Sequence, residues 1–87
     1  LSRALATARQ QAAEGQRDSS QVLSAVRALI EVNSEARIDY LQICHQLSLQ
    51  EQAEIDSDSV LLIAVYVGKT RLIDNCFLLP ESERSRA

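Results

Sequence analysis

The sequence predicts an α+β fold: a two-layer sandwich in which a helical hairpin packs on a three-stranded antiparallel sheet. Three observations carry that prediction. Apolar residues recur at helical spacing early in the chain, whereas the later segments are dense in Val, Ile and Leu. A Gly68-Lys69 pair then separates the last two of these apolar segments, as a hairpin turn would. Helices first and antiparallel strands afterwards is the order of a layered α+β domain.

Residues 1–14 are rich in Ala, Gln and Arg, which favour helix. Leu1, Leu5, Ala8 and Ala12 form a narrow stripe of small apolar residues, suited to close packing on a neighbour, and Gly15 stops the helix. Asp18 offers an N-cap, with Gln21 completing a capping-box pattern. Val22, Val26, Leu29 and Ile30 then mark an amphipathic helix running to about Val32 and ending at Asn33-Ser34.

Residues 37–44 read as a strand. Ile38 and Tyr40 are expected on one face, which Leu41 and Ile43 do not both share; the imperfect alternation leaves a bulge or two-sided burial open. Residues 46–59 are polar and carry Glu51, Glu54, Asp56 and Asp58, the pattern of an irregular, solvated connection. Residues 60–67 are continuously apolar, as in a central strand covered on both faces. Residues 70–79 are the hairpin partner, joined through a type II′ turn with glycine at its first position. Leu72, Asp74, Cys76 and Leu78 are expected to face one way, and Ile73, Asn75 and Phe77 the other. Asp74 and Asn75 suit an edge strand with one wet face, against the alternative of an interdomain contact. One helical layer covers one sheet face only, so a neighbouring domain, a second copy or the long connection should cover the other.

Composition excludes several functions. The 87 residues are enough for one small domain with a thin core. Aromatics make up 3% and the net charge is −3, so neither a base-stacking platform nor a phosphate-binding footprint is present. No apolar run approaches the ~20 residues of a membrane span. With Leu1 first and no methionine, the chain is expected to be a fragment of a longer protein. Cys44 and Cys76 could be bridged geometrically, but free buried thiols are expected. Cys44-His45 has no partners at metal-ligand spacing. Gly68-Lys69-Thr70 invites comparison with a phosphate-binding loop. That loop needs glycine where Ile63 stands, so the segment is a turn. No acid–base pair or activated nucleophile is evident, and a self-contained enzyme is not expected.

Three segments resemble one family. Ala36-Arg37-Ile38-Asp39-Tyr40-Leu41 is similar to the first C-terminal strand of the pantothenate synthetase (pantoate–β-alanine ligase) family. Ser48-Leu49 stands where that family often has Thr-Leu. The run from Leu62 through Gly68-Lys69-Thr70-Arg71-Leu72-Ile73-Asp74-Asn75 is similar to its final hairpin. The resemblance implies a division into a C-terminal lid domain, residues 1–79, and a polar tail or linker, residues 80–87. The lid would close on a Rossmann-like N-terminal domain of a cytoplasmic enzyme in the pathway to coenzyme A. That enzyme would use ATP and Mg2+ to join pantoate and β-alanine through pantoyl adenylate, releasing AMP.

The family's His-x-Gly-His and Ser-Ser-Arg-Asn motifs have no counterpart here, so the catalytic residues are expected outside this chain and the fragment alone is expected to be inactive. His45-Gln46 replaces a common Asp-Pro. The tail also fits the linker of a cyanobacterial ligase/cytidylate kinase fusion. Lys69 and Arg71 are the cations placed at or beside the hairpin tip, where a closing lid could meet an anionic ligand. The competing expectation for them is a solvated lysine and an arginine paired with a nearby acid. A second reading makes the chain an interaction module, or a homo-oligomer, through its uncovered sheet face.

Overall fold

Two helices and three strands follow in the predicted order in the computed structural model, which describes residues 1–79: α1 Ser2–Ala13, α2 Ser19–Glu31, β1 Ala36–His45, β2 Ser59–Val67 and β3 Thr70–Phe77. The strands form one antiparallel sheet in the order β1-β2-β3, with α1 and α2 on one face. The predicted tail at 80–87 lies outside the described residues. No helix among those described is long and apolar enough to cross a membrane.

Small side chains let α1 sit close to its neighbours. Ala8 and Ala12 are fully buried, with Ala4 and Leu5 nearly so. The helix ends in a Schellman arrangement. Gly15 takes φ 104°, its N–H donates to Ala12 C=O at 3.1 Å, and the Gln16 N–H donates to Gln11 C=O at 3.0 Å. Asp18 caps α2, accepting from the Ser20 N–H at 2.9 Å. The reciprocal half of the expected capping box is supplied differently. The Asp18 N–H donates to Gln16 Oε1 at 3.0 Å, so the tight connection lets a preceding residue take the role expected of Gln21.

The β1–β2 ladder slips between Ile38 and Tyr40, leaving Asp39 as a bulge. This corrects the expected facing of β1. Ile38 joins Leu41 and Ile43 against the helices, while Tyr40 opposes Ala64 on the other face. One unpaired residue is enough to reverse every later side chain of a strand. The β2–β3 turn follows the type II′ expectation: Gly68 has φ 60°, Lys69 has no positive φ, and Val67 pairs with Thr70. The last strand is shorter than expected. The chain leaves the ladder after Phe77, and Leu78 and Leu79 turn inward to be buried.

Leu61, Ile63 and Val65 of β2 are buried against the helices, together with Ile43, Val22 and Val26. The long connection is irregular but tied down. Its backbone bonds to β1 through Gln52 N–H to Ile43 C=O, and to the helical connection through Ile55 N–H to Arg17 C=O. Ile55 enters the core at 2% exposure, while Glu51, Glu54 and Asp56 stay exposed.

Candidate functional site

The face of the sheet turned away from the helices gathers the chain's most interactive side chains. Its positions follow from the register. Arg37, Tyr66 and Arg71 lie in one row across the three strands, and Tyr40, Ala64 and Ile73 lie in the next. Phe77 opposes Val60 farther along. Each strand supplies this face with alternate residues, so the continuous apolar run of β2 serves both sides.

The row nearest the hairpin is an ordered charge–aromatic cluster. The Arg37 guanidinium stands 4.9 Å from the centre of the Tyr66 ring. The Arg71 guanidinium stands 5.9 Å from the centres of both the Tyr66 and Tyr40 rings. Arg71 also donates through Nη2 to Asp39 Oδ2 at 2.7 Å and through Nε to the same oxygen at 3.2 Å. The Asp39 carboxylate pushes the already high pKa of Arg71 further up. Asp39, the residue that the ladder skips, is also the one that pairs with Arg71.

Of the two cations singled out from the sequence, Arg71 is thus engaged with an acid. Lys69 stands exposed at the turn and makes no ion pair with any described residue. The sequence reading missed Arg37, Asp39 and Tyr40 as members of this cluster. Tyr66 was within the expected hairpin, and its pairing with Arg71 followed from the turn. Nothing in the sequence announced that Arg37 would complete the row.

Other candidates resolve into structure. Gly68-Lys69-Thr70 lies between two antiparallel strands, with no helix N-terminus behind it to receive a phosphate. His45 caps a turn: its Nδ1 accepts from the Leu47 N–H at 3.1 Å, and its Nε2 lies 3.7 Å from Asp58 Oδ2. No group of three or more His, Cys, Asp or Glu converges among the described residues as a metal would need. Cys44 and Cys76 are free thiols. Burial pushes the pKa of both up, with Glu51 adding to the effect at Cys44 and Arg9 opposing it at Cys76, so neither is an activated nucleophile. A cleft of about 210 Å³ between the helices and the hairpin is lined by Leu1, Ala4, Ile30, Val65, Val67 and Leu72, among others. Its apolar walls offer packing, with Arg3 the one ionisable side chain among the lining residues.

The fold is an α+β domain of two helices on a three-stranded antiparallel sheet, and no catalytic constellation is assembled among the described residues. The chain belongs to the pantoate-beta-alanine ligase family, whose family model matches residues 1–77. It is 47% identical over 75 residues to the pantothenate synthetase of Syntrophus aciditrophicus strain SB, covering 86% of this chain and 26% of that protein. It is 45% identical over 60 residues to a bifunctional pantoate ligase/cytidylate kinase of Synechococcus sp. strain JA-3-3Ab, covering 69% of this chain and 11% of that protein. The fold matches a crystal structure of pantothenate synthetase from Thermus thermophilus with TM-score 0.81 and 29% identity, over 90% of this chain and 28% of that one. The chain therefore spans about a quarter of the length of the pantothenate synthetases it matches.

Proposed function

We propose that this chain is the C-terminal lid domain, residues 1–79, of an ATP-dependent ligase that condenses pantoate with β-alanine in the cytoplasm. The observation that carries this reading is the family match over residues 1–77, in a chain that spans only about a quarter of its relatives. The residues here do not fit ATP or Mg2+ as resident groups. The Gly68 turn offers no phosphate cradle, and no carboxylate cluster suits a hard cation among the described residues. On this reading, nucleotide, metal and acyl chemistry would fall to the Rossmann-like domain that this unit would cover.

The lid's contribution is exclusion of water from a hydrolysable acyl adenylate while the amine attacks. Lys69, exposed at the hairpin tip, is a cation placed to approach an anionic ligand on closure. Arg71, held by Asp39, would set the position of the hairpin that carries it. Residues 80–87 would form a polar tail or linker.

A fusion tests the reading. The S. aciditrophicus pantothenate synthetase is truncated before its matched segment, then assayed alone, mixed with this chain, and joined to this chain. Pantothenate formation from ATP, pantoate and β-alanine should rise at least tenfold in the fusion over the truncated enzyme. Turnover by this chain alone would move the chemistry into it, and a well-folded fusion no faster than the truncated enzyme would end the lid reading.

A further inference from the structure

We propose that the sheet face turned away from the helices is the surface on which the remainder of the ligase polypeptide docks. This rests on the lid reading above and adds the contact surface to it.

The first argument is composition. The chain has two tyrosines, one phenylalanine and no tryptophan, and the register places Tyr40, Tyr66 and Phe77 all on this face. The buried cluster beneath the helices is built from aliphatic residues alone. An antiparallel sheet with a solvated face ordinarily alternates polar residues outward. Here β2 turns Val60, Leu62, Ala64 and Tyr66 outward instead, and no lysine or glutamate stands on the paired strand positions of this face. Aromatics and arginine in place of lysine and glutamate is the signature of a protein interface.

The second argument is preorganisation. Ala64 is fully buried between Tyr40 and Ile73, giving a low floor flanked by larger side chains. Arg71 is fixed by Asp39 and stacked near two rings, so ordering it on docking costs little further entropy. Arg37 stacks on Tyr66 and has no carboxylate partner among the described residues. The docking surface should therefore be apolar with a carboxylate facing Arg37.

The third argument is area, and it selects the occupant. With strands about 4.8 Å apart and about 3.4 Å per residue, eight residues of three strands cover roughly 400 Å². Doubled for two partners, that falls short of the roughly 1,200 Å² at which stable complexes of separate chains begin. It suits two domains of one polypeptide, whose interfaces start near 600 Å² and are held by the tether. A contact of this size can also open again, as a lid must.

Hydroxyl-radical footprinting tests the docking. The probe is this chain alone and the full-length fusion described above, each verified as folded by circular dichroism. Tyr40 and Tyr66 should be oxidised at least threefold more slowly in the fusion. The rates at Val32 and Leu47, which are 84% and 83% exposed and lie off this face, should be unchanged. Leu62→Glu in the fusion should restore the tyrosine rates; if that variant misfolds, the unsubstituted pair of measurements decides.

Protection in the fusion supports the proposal whether or not the fusion is active, and an inactive fusion then counts against the lid chemistry alone. Unchanged tyrosine rates in an active fusion overturn the docking face and leave the lid reading standing. A dimer of the chain alone, by sedimentation, with both tyrosines already shielded, overturns it in favour of a second copy.

Discussion

The two faces of β2 come from one run of apolar residues and do different work. Leu61, Ile63 and Val65 are sealed beneath the helices in a buried cluster of aliphatic residues. Leu62 and Tyr66, alternating with them, stay half-buried, Leu62 between Gln42 and Asn75 and Tyr66 between Arg37 and Arg71. Hydropathy alone cannot separate the two sets, because both are apolar. What separates them is the layer above. The helices cover one face, and the docking proposed above would cover the other.

The largest effect that could break this comparison is a pair of truncations at neighbouring positions. Ile63→Ala leaves a cavity in a fully enclosed site and should cost about 2–5 kcal/mol by urea denaturation. Leu62→Ala, on the half-buried side, should cost about 1 kcal/mol or less. Equal losses in the isolated chain would mean that the open face is already covered in solution.

The turn that joins β2 to β3 comes next. Gly68 has φ 60°, and a Cβ added there meets no atom within 4 Å, so the cost of Gly68→Ala is conformational rather than steric. A loss of about 1–2 kcal/mol is expected. The urea midpoint should fall with an unchanged slope, because the hairpin aligns both faces and loses neither selectively. A changed slope would show that the faces separate when the turn is strained.

Local chemistry made much of this fold legible. Gly15, Asp18 and Gly68 announce a helix end, a cap and a turn through their own backbone preferences, and each is found in that role. The alternation of β2 needed only its own sequence. The bulge at Asp39 was not legible in the same way, because it exists through the partner strand: nothing within 37–44 says which residue will be skipped. That one residue decides whether Tyr40 joins the core or the open face. Ile55 escaped for a related reason, being one of a few scattered apolar residues in a polar, acidic stretch with no periodicity to mark it. At the site, Lys69 and Arg71 were visible as cations near a turn. Arg71's partner lies 32 residues away on another strand, so the cluster could not be assembled before the register was known.

The smallest expected effect sharpens the comparison most. If the open face is built for contact rather than for stability, removing its charged anchor should barely move the unfolding of this chain. The Arg71 and Asp39 side chains are 41% and 38% exposed, so water and salt screen their attraction. Arg71→Gln should lower the melting temperature by about 3 °C or less at low ionic strength. That difference should fade at about 1 M salt, where exposed charges no longer feel each other. The same substitution in the full-length fusion should weaken docking, because Arg71 would there be sealed from solvent and its loss would leave Asp39 unpaired beneath the contact. Thermal scans of the chain at both salt concentrations, set beside footprinting of the fusion, separate the two roles. A large, salt-independent loss in the isolated chain would show that the open-face cluster holds the fold together as the helix face does, and the distinction between the two faces would fail.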